Sequence, residues 1–193
     1  MEAFKEAYKA FYPTFKFALR DDLINDKRFL PTRAEPKATG WDVRAAMPDK
    51  EPLVIQPFEY AKIPLGVRGF CPDGWWYELK PRSSSFAKKN LHPLYGTVDE
   101  TYEGELVFAC QYIPQFKLKR QLMGGSLDYM LALILDADSI SPLKIDFGDA
   151  IGQIIPVRRE EMIVEEVSNY KYDMDCKERD SIRGAGGFGS TGK

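Results

Sequence analysis

From residue 31 to about residue 167 the chain is cut by proline and glycine into short β-prone runs, among them 41–46, 75–79, 106–112 and 151–157. Proline removes a ladder donor and glycine favours turns, so each run ends after a few residues. Many short strands of this kind predict an all-β sandwich or barrel. No internal repeat is present. At 193 residues the chain is long enough for one well-buried domain and short for two.

The N-terminal stretch reads differently. Phe4, Tyr8, Phe11, Phe15 and Ala18 recur at helical spacing, interrupted by Pro13, which predicts a helical extension of one or two short helices over residues 1–30. Its aromatic face is expected to pack on the body of the protein. The charged stretch 173–181 is expected to be a flexible tether.

Charge excludes several functions. With 27 basic and 29 acidic residues the net charge is −2, which argues against a general polyanion binder and hence against nucleic acid as a partner. No apolar run is long enough to span a bilayer, and Glu2, Lys5 and Glu6 leave no room for a signal-peptide core, so no membrane association is expected. Cys71, Cys110 and Cys176 are odd in number and form no C-x-x-C pair, as expected of reduced thiols in a cytoplasmic protein, or a nuclear one in a eukaryote. The single histidine, His92, excludes zinc sites built on paired histidines. Any catalysis is expected to rest on carboxylates, arginines and a metal carried by the substrate.

The last eleven residues, Arg183-Gly184-Ala185-Gly186-Gly187-Phe188-Gly189-Ser190-Thr191-Gly192-Lys193, have the composition of a nucleotide clamp. Five glycines free the backbone to wrap a ligand, Arg183, Ser190, Thr191 and Lys193 suit phosphate oxygens, and Phe188 offers a flat face to a base. A G-x-G-x-x-G match from Gly184 to Gly189 and a near P-loop from Gly187 to Lys193 are accidental, because both motifs need a strand before and a helix after.

Four further stretches stand upstream. They are Ala38-Thr39-Gly40-Trp41-Asp42-Val43-Arg44-Ala45, Pro81-Arg82-Ser83-Ser84-Ser85-Phe86-Ala87, Gly96-Thr97-Val98-Asp99-Glu100-Thr101-Tyr102-Glu103-Gly104, and Gly148-Asp149-Ala150-Ile151-Gly152-Gln153-Ile154-Ile155. Singly these read as ordinary turns and strands. In this order, with the glycine tail fifth, they resemble the signature motifs of the trimeric dUTP nucleotidohydrolases (dUTPases), over roughly residues 31–193.

The resemblance implies a distorted jelly-roll or β-barrel core over 31–182, a nucleotide-closing arm over 183–193, and hydrolysis of dUTP to dUMP and pyrophosphate, which limits uracil in DNA and supplies dUMP. Asp99 is then the general base that activates a water against the α-phosphorus. Tyr102 packs on the deoxyribose, and backbone groups around Leu94 to Val98, Gly96 included, read the uracil edge. Arg82, Ser83, the Ser84 amide and Gln153 meet the phosphates, Asp42 contacts Mg²⁺ through water, and Arg183, Phe188, Gly189, Ser190 and Thr191 close over the nucleotide. The same resemblance implies a homotrimer with shared sites: motifs one, two and four from one subunit, the uracil hairpin from a second, the arm from a third.

Two departures stand out. Ser84 replaces the usual glycine of P-R-S-G-L-A, and Ala150 replaces the arginine of G-D-R-I-A-Q-L-I. An insertion is expected within about 110–143, around Lys117, Lys119, Arg120 and Met123-Gly124-Gly125, where a regulatory protein partner is conceivable. The related dCTP deaminases are the nearest alternative, but Ala87 and Ala109 stand where they carry an arginine and a catalytic glutamate, and they lack the glycine arm. A dUTPase scaffold with an added regulatory role is the other.

Overall fold

The computed structural model describes residues 12–115, 118–123, 130–135 and 141–179, and they divide into two compact units after Arg159. In the first unit consecutive strands alternate between two four-stranded antiparallel sheets. One sheet runs in the order β1 (Lys16–Leu19), β4 (Tyr60–Phe70), β8 (Glu105–Tyr112), β6 (Leu91–Pro93). The other runs β2 (Trp41–Arg44), β12 (Ala150–Arg158), β5 (Trp75–Pro81), β7 (Gly96–Val98). A chain that crosses between sheets at nearly every step makes the double-sheet architecture expected of a jelly roll. Two small pairs complete it, β3 (Leu53–Ile55) with β11 (Leu143–Ile145) and β9 (Leu118–Met123) with β10 (Met130–Leu135).

The core follows from alternation along the strands. In β8, Leu106, Phe108, Cys110 and Tyr112 are buried while the residues between them are not. In β4, Ile63, Leu65 and Val67 are buried, with Gly66 buried between the last two, and they meet Val43, Tyr77, Leu79, Ile151 and Ile154 of the other sheet. Inward side chains of period two on both sheets are what a sandwich requires.

The expected helix in the N-terminal extension is corrected over its described part. Lys16–Leu19 is a strand, paired from Lys16↔Phe70 to Leu19↔Val67, and two short 3-10 helices follow at Asp21–Leu23 and Lys27–Phe29. The physical reason is a second period, of two, in the apolar residues: Phe15, Phe17 and Leu19 all pack on the core, with the rings of Phe15 and Phe17 6.2 and 6.4 Å from that of Tyr77. Phe4, Tyr8 and Phe11 lie outside the described residues. The stretch 12–30 is therefore part of the sandwich, with Leu23 and Phe29 burying against Ala46.

The expected tether is likewise corrected. In the second unit, α2 (Asn169–Glu178) takes up most of it, capped by the Ser168 hydroxyl, which accepts the Lys171 amide at 3.2 Å, and laced by a Lys171–Asp175 ion pair one turn apart. A charged stretch without apolar periodicity reads as coil, but a good cap and an i,i+4 pair favour helix without any buried face. The insertion forms the β9–β10 hairpin, in register from Met123↔Met130 to Leu118↔Leu135. Its base is closed where the Tyr112 hydroxyl donates to the Ser141 carbonyl at 3.0 Å. His92 is an exposed residue of β6, its ring edge-on to Phe86. No helix among the described residues is long and apolar enough to cross a membrane.

Tyr77 is fully buried, and its hydroxyl has no hydrogen-bond partner among the described residues. Burial pushes the phenol well above the usual tyrosine range, with the neighbouring Cys71 and Tyr102 adding to the shift. An unpartnered buried hydroxyl carries a desolvation cost, so Tyr77→Phe should raise stability by about 1 kcal/mol. The midpoint of denaturant unfolding reads this, and a lower midpoint would show that the hydroxyl contributes favourably.

Candidate functional site

Three of the sequence motifs converge at one end of the β2–β12–β5 ladder. Val43 faces the core, so Asp42 and Arg44 on either side of it project from the outer face of the sheet. Register places Gln153 opposite Asp42 on one side and opposite Lys80 on the other, so β12 lies between motif one and motif two. Gly40 stands against the Gln153 side chain: a Cβ at Gly40 would lie 2.0 Å from Gln153 Oε1. The same amide donates from Nε2 to the Pro81 carbonyl at 3.2 Å, which ties the three segments together.

Arg82 follows at the end of β5. Its backbone N–H donates to the Ile151 carbonyl at 3.2 Å, and its guanidinium Nε lies 3.3 Å from Asp42 Oδ1. The Asp42 side chain is 15% exposed and that of Arg82 36%, so the pair sits at the rim with the guanidinium open to solvent. Arg82 leads into α1 (Ser83–Ala87), which presents Ser83 outward and leaves Ser84 half-buried. Ser85, the fully buried third serine, donates from Oγ to the Ile151 carbonyl at 2.7 Å and anchors the turn to β12. Nothing in the sequence distinguished Ser85 from its neighbours; only its burial does.

Motif three lies elsewhere on the same sheet. β7 pairs with β5 at Leu79↔Gly96 and Tyr77↔Val98, and Asp99 follows, exposed, in a turn closed by the Tyr102 amide donating to the Asp99 carbonyl at 3.1 Å. The Tyr102 ring lies over Gly104, where a Cβ would be 2.4 Å from its hydroxyl, and that hydroxyl donates to the Glu105 carbonyl at 2.9 Å. Glu100 pins the turn, accepting from the Gly74 amide at 3.1 Å and from Arg159 Nη1 at 2.6 Å. Beneath it burial pushes the Cys71 thiol up to about 11, with the Glu100 carboxylate adding to the shift. Sequence reasoning missed Glu100, whose one signal was its place beside Asp99.

The chain thus joins Asp42, Arg82 and Gln153 and holds Asp99 apart from them. Val98 sits beside Tyr77, five residues along β5 from Arg82, a run of about 17 Å at strand rise. Arg183, Phe188, Gly189, Ser190 and Thr191 lie outside the described residues. Among the described residues no three His, Cys, Asp or Glu side chains cluster as a metal cage. A lone carboxylate at Asp42 suits a hard cation that takes most of its ligands from substrate phosphates and water.

No protein-family model matches the chain. A deoxyuridine 5′-triphosphate nucleotidohydrolase of Thermobifida fusca is 32% identical over 165 residues, covering 84% of this chain and 72% of the relative. One from Maricaulis maris is 29% identical over 165 residues, covering 84% and 87%. Among solved structures, the dUTPase of Staphylococcus bacteriophage 80alpha with dUPNHPP matches with a TM-score of 0.66 at 23% identity, covering 93% of this chain and 99% of that one. A mutant dUTPase from phage phi11 of S. aureus, in which a structural Mg(II) ion is coordinated, matches with a TM-score of 0.60 at 20% identity, covering 82% and 99%.

The contact between Gly40 and Gln153 makes a direct prediction. Gly40→Ala should displace the Gln153 amide and, if this cluster serves the reaction, lower turnover, leaving the sandwich folded, since the clash falls on a side chain at the sheet rim. Steady-state kinetics with a circular-dichroism melt reads both; full activity would show that Gln153 is free to move aside.

Proposed function

The chain belongs to the deoxyuridine 5′-triphosphate nucleotidohydrolase family, and from that premise we propose that the cluster of Asp42, Arg82 and Gln153 is the phosphate side of its active site. The enzyme hydrolyses dUTP to dUMP and pyrophosphate. One observation carries the assignment of residues: Arg82 is held beside Asp42 at the sheet rim while Asp99, the expected base, stands more than about 17 Å along the same sheet. A base that distant cannot serve the phosphates its own chain binds, so the site is completed by Asp99 of a neighbouring subunit, as a homotrimer with shared sites requires.

In this reading the Arg82 guanidinium turns its free donors to phosphate oxygens. Ser83 and the Ser84 amide add neutral donors, and the serine side chain of Ser84 is accommodated half-buried. The neighbour's Asp99 carboxylate, exposed in its turn, accepts the proton of the attacking water. Tyr102, held over Gly104 by its bond to the Glu105 carbonyl, would pack on the deoxyribose and exclude a 2′-hydroxyl. The backbone of 94–98 reads the uracil edge by donor and acceptor order, which rejects cytosine. Mg²⁺, when bound, neutralises charge on the triphosphate, and Asp42 is the residue that would hold its water shell. Arg183 and Phe188 of the arm are proposed to close the site, on sequence alone. The free thiols of Cys71, Cys110 and Cys176 accord with a cytoplasmic enzyme.

Pyrophosphate release from dUTP, against dCTP, dTTP and UTP, tests the activity; equal rates on dCTP would overturn the base assignment of the hairpin. Asp99→Asn should lower turnover by roughly 10²- to 10⁴-fold with nucleotide binding largely intact. Sharing is read by mixing subunits: Asp99→Asn and Arg82→Ala, each inactive alone, should regain activity after subunit exchange, because some sites then unite an intact Arg82 with an intact Asp99. Mixed oligomers that stay inactive would sink the shared site.

A further inference from the structure

The turn that launches β12 is gripped from two sides. Gly148, at φ 89°, donates its N–H to the Ala45 carbonyl at 2.8 Å, and the Ala45 N–H donates to the Asp149 carbonyl at 2.8 Å. The Asp149 carboxylate accepts from Lys89 Nζ at 2.9 Å and from the Asp146 amide at 3.2 Å. The Gly148 carbonyl accepts from Arg44 Nη1 at 2.9 Å. Directly after the turn the ladder shifts register between Ala150 and Gly152, and Gln153 follows. The bulge re-aims the strand just before the residue that bridges motifs one and two.

Position 150 carries alanine where the motif it resembles carries arginine, and the residue paired with Ala150 across the ladder is Arg44. Arg44 shares the outer face of β2 with Asp42, two residues and about 6.6 Å away. We infer that Arg44 is a positioning residue for dUTP hydrolysis, its guanidinium supplying from β2 the cation that position 150 of β12 lacks. It holds the Gly148 carbonyl, the turn sets the bulge, and the bulge sets Gln153 against Gly40 and Pro81. The inference rests on the reading of this sheet end as the phosphate site.

Arg44→Met keeps the aliphatic stem and removes the donor. It should lower kcat for dUTP by about 10- to 100-fold, the scale on which small misplacements of a binding group act, with KM changed far less. Arg44→Met with Ala150→Arg places the guanidinium on the facing strand, and most of the lost kcat should return, a recovery that mere loss of packing would not allow. Wild-type kcat in Arg44→Met overturns the inference, and so does a folded double variant as slow as the single one. If the double variant does not fold, Arg44→Lys decides: its ammonium should restore much of the rate, and a rate no better than that of Arg44→Met overturns the inference. The wild-type chain assayed in parallel separates the two levels, because a wild type inert towards dUTP overturns the function itself.

Discussion

Gly152 has no side chain, and the two sheets meet through that gap. A Cβ there would lie 3.0 Å from the Phe108 ring and 3.2 Å from the Lys80 carbonyl, so even a methyl would require the ring or the backbone to give by a few tenths of an ångström. Phe108 is fully buried, among the larger side chains of the core, and it fills the space the glycine leaves. The contact fixes β12 over β8 at the one place where β12 must also pair with β2 and β5. Gln153, the next residue, can then reach both Gly40 and the Pro81 carbonyl.

That geometry explains why residues distant in sequence meet. In a sandwich whose strands alternate between sheets, neighbours within a sheet come from far apart in the chain. β2, β12 and β5 are consecutive in space and separated by dozens of residues in sequence. Outward positions on the three strands then form one continuous face, with Asp42, Gln153 and Lys80 in a row across it. The same period-two rule sends Val43, Ile154 and Leu79 inward, so the core and the site are two sides of one set of strands.

Much of this was legible in the sequence because it is local. The strands at 41, 75, 106 and 151 announce themselves between proline and glycine, and the glycine-bearing motifs mark the turns at which they end. The eleven-residue β4 was not singled out, since its alternation is interrupted by Pro64 and Gly66, where the register to β8 shifts. Lys16–Leu19 differs from its expected helix because apolar residues at 11, 15 and 18 suit a helix while those at 15, 17 and 19 suit a strand, and only a partner strand decides. Asp42, Arg82 and Gln153 could be named from their motifs. Ser85, Glu100 and Arg44 could not, because each acts on a backbone group that only tertiary pairing brings near.

The Asp42–Arg82 pair shows how such a rim can be both ordered and ready for a ligand. At 3.3 Å, with the Arg82 side chain 36% exposed, the pair belongs to the class of surface ion pairs worth about 0 to 1 kcal/mol. A deeply buried pair would hold Arg82 more firmly, but leaving it would strand a charge in a low-dielectric setting. Here solvent screens the exchange, so a phosphate oxygen can take the free donors of the fork at little cost while Asp42 still limits where the guanidinium points. The backbone carries the rest of the constraint, since the Arg82 N–H is bonded to Ile151 and Ser85 locks the following turn to the same carbonyl. Rigidity therefore resides in the β-ladder and adaptability in the side chain.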